Sequence, residues 1–178
     1  MSKLFILIHQ KLLVMPYAAL VIFAVSVGSL LTAYIAENFF DVFPCELCLY
    51  QRVPYALAMI LAILALIVRK NDKRARLLLG FCAVAFFANM GIAIFHSGVE
   101  LHWWAGSDGC AVNPLVLQDP AAAREALLST PSVRCDEINF TFLGFTMANW
   151  NVPASLALGL FALLASFGPC VNWAKKKP

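Results

Sequence analysis

LLVMPYAALVIFAVSVGSLLTAYIA, from Leu12 to Ala36, is a run of 25 residues without a charge. A helix needs about 20 mostly apolar residues to cross the hydrocarbon core of a bilayer, so this stretch is long enough to span one. Moving outward, Val53 to Val68 is uncharged for 16 residues and lengthens if it starts near Cys48 and takes in Arg52. Leu77 to Phe95 gives 19 uncharged residues, and Trp150 to Ala174 gives 25. Four such helices would satisfy their own backbone hydrogen bonds in lipid. The composition agrees: 62% of the 178 residues are hydrophobic and 13% charged, with a mean hydropathy of +0.80. A soluble domain of this size is about half apolar and about a quarter charged. A water-soluble bundle would also show polar helix faces, which these stretches lack. The fold class expected is an all-α membrane protein, a single domain over 1–178, with spans at about 12–36, 50–68, 77–95 and 150–174. Lys3 and Lys11 give the first span a basic lead. It is nevertheless too long for the apolar core of a signal peptide, and no small-x-small pair precedes Glu37. It reads as a retained helix.

Charge placement orients the spans. Lys3, Lys11, Arg69, Lys70, Lys73, Arg74, Arg76, Lys175, Lys176 and Lys177 flank one side, with Asp72 the single acid among them. The other two connections hold Arg52, Arg124 and Arg134 against nine acids, so the balance is +9 on one side and −6 on the other. Basic loops stay in the cytoplasm. Both termini and the Arg69–Arg76 turn are therefore expected to be cytoplasmic, with loops 37–49 and 96–149 facing outward, which in a bacterium with an outer membrane is the periplasm. The basic runs are solvated helix ends, and the net charge of +3 is too small and too scattered for a nucleic-acid binder.

Of six cysteines, Cys45, Cys48, Cys110 and Cys135 fall in the outward segments, and Cys82 and Cys170 lie within or near span ends. Four thiols on the oxidising side suit disulfide chemistry, whereas Cys82 and Cys170 read as small packing residues. Cys45-Glu46-Leu47-Cys48 is a Cys-x-x-Cys just before the second span. A c-type haem site needs a following His, and Leu49 stands there. A zinc site could use Cys45, Cys48, Cys110 and Cys135, although the second pair is not a close knuckle. Thiol–disulfide exchange is the third use, because a Cys-x-x-Cys at a helix start favours the attacking thiolate. Arg52 lies four residues after Cys48. On a continuous helix it shares that face and can stabilise a thiolate or a reduced anionic ligand. The simpler role for Arg52 is snorkelling to headgroups. Pro54 suits a first helical turn starting near Val53, which would leave Cys48 and Arg52 on a bent lead-in.

Cys110 and Cys135 enclose 24 residues, Ala111 to Arg134, with Pro114, Pro120, Pro131 and a short helix candidate at Ala121–Leu128. A disulfide across this insert would add about 3.5 kcal/mol on the chain-entropy argument, so a structural staple is one reading. Long loops are more often functional or mobile, and a mobile disulfide able to visit two partners is the other. Trp103, Trp104, Phe140, Phe142, Phe145 and Trp150 suit the membrane interface, with Phe140–Trp150 lying on the surface. His96 ends the third span near the depth of Arg52, where it could hydrogen-bond a ligand or pass a proton. His9 and His102 take no role.

Pro44-Cys45-Glu46-Leu47-Cys48-Leu49-Tyr50-Gln51-Arg52 resembles the first-loop signature of the DsbB family, bacterial inner-membrane disulfide bond formation proteins. Four spans, the second cysteine pair in the second outward loop and a His ending span three match as well, so the likeness covers nearly the whole chain. Pro54 is outside the signature, and Met1–Lys11 carries no recognised element. The resemblance implies an oxidoreductase that re-oxidises a periplasmic DsbA-like thioredoxin-fold oxidase and passes two electrons to membrane quinone, ubiquinone or menaquinone. It implies disulfides Cys45–Cys48 and Cys110–Cys135, with a transient Cys45–Cys135 bond. Cys110 would be attacked by the partner thiolate, Cys135 would be its loop mate, and Cys45 would exchange with Cys135. Cys48 would be the thiolate beside the quinone, Arg52 would hold that charge, and His96 would line the pocket. Three alternatives differ in class or direction: a carrier of reducing power into the periplasm, a DsbI-like enzyme dedicated to one partner, and a zinc-stapled structural protein.

Overall fold

The computed structural model describes residues 16–106, 134–138 and 140–168. The Ala121–Leu128 helix candidate, Cys110 and Cys170 lie outside the described residues. Four long helices dominate: α1 (Tyr17–Phe39), α2 (Glu46–Ile67), α3 (Asp72–Glu100) and α4 (Met147–Phe167). All four are long and apolar enough to cross a membrane. A small antiparallel hairpin, β1 (Thr141–Phe142) and β2 (Phe145–Thr146), precedes α4. Its tip, Leu143-Gly144, has φ of 52° and 82°, as a two-residue turn of type I′ requires at both central positions. The Phe140–Trp150 stretch is therefore hairpin followed by helix, and Trp150 belongs to the first turn of α4.

The starts of α2, α3 and α4 sit ahead of the charge-free runs because caps, not the first apolar residue, decide them. The α2 N-cap is Cys45, whose sulfur accepts from the Cys48 N–H at 3.4 Å, with Glu46 in the first turn. Asn71 caps α3 through Arg74 N–H at 3.2 Å, and Thr146 caps α4 through Asn149 N–H at 3.1 Å. A side-chain acceptor at this position satisfies an amide that would otherwise have no partner. The expectation of a helix starting near Val53 is corrected here: α2 starts at Glu46 and Pro54 lies inside it. Pro54 has no N–H to give the Tyr50 carbonyl, but the turn is held on either side and the helix continues. Cys48 and Arg52 consequently share one helical face.

Packing runs in series. α3 packs most extensively on α4 and then on α2, α2 packs on α1, and α1 and α4 barely touch. The contact faces are small: Ala18, Ala19, Ala58, Ala62, Ala75 and Ala162 are fully buried. Leu31, Ile67, Val84 and Leu164 face outward, each more than half exposed. Lipid removes the hydrophobic drive between helices, so small residues that let backbones close in make the contacts. Gly159 shows the tolerance. A Cβ there would come within 2.9 Å of the Phe87 ring.

Candidate functional site

The site forms where the start of α2 meets the end of α3. Cys45 and Cys48 are both thiols, and the Cys45 Sγ donates to Cys48 Sγ at 3.0 Å. The geometry follows from the helix start: an N-cap and the third residue of the first turn stack on one another. Cys45 is buried, and it packs with Leu47, Val99 and Cys135, with Cys48 alongside. Cys135 arrives from a segment 90 positions later in the chain and is 1% exposed. The structure thus brings Cys45, Cys48 and Cys135 into one cluster; Cys110 lies outside the described residues.

His96 projects into the same place from α3 and is 3% exposed. Its Nε2 stands 3.5 Å from Cys45 Sγ and 3.7 Å from Glu100 Oε1, and its Nδ1 is 2.9 Å from Gln51 Nε2. Glu100 is tied in turn by the Thr146 hydroxyl at 2.6 Å. The hydrogen bond to Cys48, with burial adding to it, pushes the Cys45 thiol up to about 12; His96 acts against this without overcoming it. Arg52, on the same face of α2 as Cys48, also meets α1. Its Nη1 pairs with Glu37 Oε2 at 2.8 Å, both side chains about 30% exposed, so the last turn of α1 supplies its counter-charge.

The sequence reading gave no role to Gln51, Glu37, Glu100 or Asn151. Gln51 and Glu100 do carry a signal. Gln51 is three residues after Cys48 on the same helix, and Glu100 is four after His96, so each shares its neighbour's face. Asn151 is 100 positions from Gln51 and had none. Three donors, Cys45 Sγ, Cys48 Sγ and His96 Nε2, lie within 4.8 Å of one another and could hold a thiophilic metal ion. Alongside, a groove of about 570 Å³ is lined by Leu47, Tyr50, Pro54, Ala88, Ile92 and Phe95 among others. It is apolar and adjoins the cysteine turn, but neither sulfur lines it.

The family Disulfide bond formation protein DsbB matches residues 16–165. An uncharacterised protein of Rickettsia prowazekii (strain Madrid E) is 29% identical over 155 residues, 86% of this chain and 88% of that one. Disulfide bond formation protein B of Xanthomonas campestris pv. campestris (strain 8004) is 28% identical over 127 residues, 70% of this chain and 74% of the relative. The protein of that name from Herminiimonas arsenicoxydans is 27% identical over 153 residues, 83% and 94% of the two chains. No solved structure matches significantly. A capped Cys-x-x-Cys at the mouth of a four-helix membrane bundle and a family match across most of the sequence lead to one conclusion: the chain belongs to the DsbB family, membrane oxidoreductases of disulfide bond formation.

Proposed function

We propose that this protein re-oxidises a periplasmic DsbA-like, thioredoxin-fold dithiol and delivers the two electrons to membrane quinone, ubiquinone or menaquinone. In this reading it sits in a bacterial inner membrane with both termini and the Arg69–Arg76 turn in the cytoplasm. One observation carries it: Cys135, from the second outward segment, is buried against the Cys45–Cys48 turn. Two cysteine pairs far apart in sequence can exchange only if a member of one reaches the other.

The exchange follows from thiolate chemistry. A partner thiolate attacks Cys110 Sγ of a Cys110–Cys135 disulfide. The S–S bond breaks and the electron pair stays on Cys135 Sγ. Cys135 thiolate then attacks Cys45 Sγ of a Cys45–Cys48 disulfide, and the leaving pair stays on Cys48 Sγ. The partner's second thiolate attacks its own sulfur in the mixed disulfide, releasing Cys110 as thiolate and the partner oxidised. Cys110 then attacks Cys135 and releases Cys45. The net result is a reduced Cys45–Cys48 pair.

The residues present fit a neutral apolar oxidant. Cys48 and Arg52 are one turn apart on α2, an apolar groove lined by Leu47, Tyr50 and Pro54 opens beside the same helix start, and the guanidinium stays charged at any working pH. A bound quinone supplies the two-electron sink that returns Cys45–Cys48 to the disulfide. The chain's own share is to keep the two sulfurs adjacent, to donate from Cys45 so that negative charge rests on Cys48, and to place Arg52 on the same face. The test is quinone-dependent oxidation of a reduced thioredoxin-fold partner by the purified protein. Cys48→Ser is expected to abolish quinone reduction. Cys110→Ser is expected to block partner oxidation while quinone stays bound. Normal turnover in the Cys48 variant would overturn the assignment.

The Cys45–Cys48–His96 cluster favours one second reading, a zinc-stapled structural protein. Stoichiometric zinc in the purified chain, with thiols inert to alkylation, would establish it in place of the first.

A further inference from the structure

Below the sulfur pair, a line of side chains crosses from α4 through α2 to α3. The Tyr55 hydroxyl donates to Asn151 Oδ1 at 2.7 Å, and Ser155 Oγ donates to the same oxygen at 3.1 Å. Asn89 Nδ2, itself bonded to Ser155 Oγ at 2.9 Å, lies 3.4 Å from it. With its oxygen so engaged, Asn151 presents its amide nitrogen to Gln51, and Nδ2 donates to Oε1 at 2.6 Å. That turns the Gln51 nitrogen toward His96 Nδ1, 2.9 Å away. An amide NH₂ only donates, so Nδ1 must accept. A neutral imidazole accepting at Nδ1 carries its proton on Nε2. Nε2 is the atom that stands 3.5 Å from Cys45 Sγ, and Cys45 Sγ donates onward to Cys48. Every donor in the line points toward the sulfurs. Such a chain is directional and runs wholly one way or wholly the other. The Tyr55 and Ser155 hydroxyls and the Asn89 NH₂ all bear on Asn151 Oδ1, which leaves that amide its nitrogen for Gln51.

We propose that Asn151, which touches neither sulfur, is a positioning residue: through Gln51 it holds His96 as the Nε2–H tautomer, so that the imidazole donates to Cys45 Sγ instead of accepting from it. The inference rests on the reading of Cys45–Cys48 as an exchanging pair, and it deepens it. When Cys110 thiolate attacks Cys135 Sγ, the Cys45–Cys135 bond breaks and its electron pair remains on Cys45 Sγ. An N–H already aimed at that sulfur stabilises the charge as it forms. An imidazole lone pair there would oppose it. Removing the donor is expected to slow release of Cys45 at least about tenfold, the scale of a hydrogen bond to a charged group.

The experiment uses the full chain in lipid or detergent with ¹⁵N-histidine. There are three histidines, and His96→Asn identifies the His96 signals by their loss. Wild type should show a protonated Nε2 and a lone-pair Nδ1. Asn151→Leu, of similar volume, should give a mixture of tautomers and the slower Cys45 release in a quench-and-map assay. Gln51→Glu offers Nδ1 an acceptor only and should put a proton on Nδ1, as the Nδ1–H tautomer or, with Glu100 3.7 Å from Nε2, as the imidazolium; the loss of the lone-pair Nδ1 signal keeps the test decisive if Asn151→Leu does not fold. An Nδ1–H tautomer in wild type, or signals unchanged in both variants, would overturn the proposal. If the tautomer moves as described but wild type fails to oxidise a dithiol with quinone, the functional reading falls and the positioning stands.

Discussion

The single sulfur of Cys45 shows how much one helix start can gather. It caps α2, donates to Cys48 and receives His96. Its thiol is held up to about 12 by the bond to Cys48 and by burial. The sign is that of a group whose protonated form the fold prefers. Cys45 stays neutral through and above the ordinary thiol range, and the stability this lends is complete below the ordinary thiol value of 9.0 and lost as pH rises from there toward 12. In the reduced protein, alkylation of Cys45 by iodoacetamide should therefore keep climbing with pH beyond 9, where an ordinary thiol levels off. Peptide mapping by mass spectrometry reads this directly, and a plateau near 9 would contradict it. At this scale the sequence was informative about type and poor about partners. The Cys-x-x-Cys and its neighbours Arg52 and His96 are visible in the chain. That Arg52 pairs with Glu37 is not, because α1 ends in a polar turn that nothing in the sequence points toward α2. Asn151 was silent for a related reason: one amide in an apolar span looks like any tolerated polar residue until three helices close around it.

Among the elements, α3 is the one on which the others depend, packing against both α2 and α4. At about 1.5 Å per residue, its 29 residues reach roughly 43 Å, more than the ~30 Å hydrocarbon core. Its last two turns carry His96 and Glu100 to the sulfur cluster. The chain then doubles back. Trp104 stacks on Phe95 with ring centroids 5.9 Å apart, and its indole N–H donates to the Phe95 carbonyl at 2.8 Å. Gly98 permits this, since a Cβ there would collide with the Trp104 ring. Gly98→Ala should expel the indole while leaving helix content unchanged. The check is tryptophan emission in a background with Trp103, Trp150 and Trp173 replaced by Phe, where a red shift is expected and an unaltered spectrum would count against the packing. The spans themselves were legible because charge-free runs of that length have few other uses. Their ends were not, because Asn71, Cys45 and Thr146 cap helices several residues outside those runs. Pro54 misled for the same reason: the cap at Cys45 sets where α2 begins, and the helix tolerates the proline further in.

Across the whole molecule, the charge asymmetry makes the orientation testable. In a background without other reactive cysteines, Lys73→Cys should resist a membrane-impermeant maleimide in intact cells, and Glu137→Cys should label. The reverse pattern would invert the proposed topology. The four-helix architecture could be read from composition and charge. The convergence of α2, α3 and α4 on one polar line could not, because it depends on rotations about helix axes that an apolar sequence with no polar face leaves unspecified.

The alanine-lined helix contacts set how this protein can vary. Where Ala58 or Ala162 is packed with no surface left exposed, any larger side chain forces two helices apart. Where Leu31 or Val84 meets acyl chains, another aliphatic residue serves as well. Drift among descendants of this gene should therefore accumulate in the bulkiest residues and spare the smallest, the opposite of the record left by a protein that folds in water.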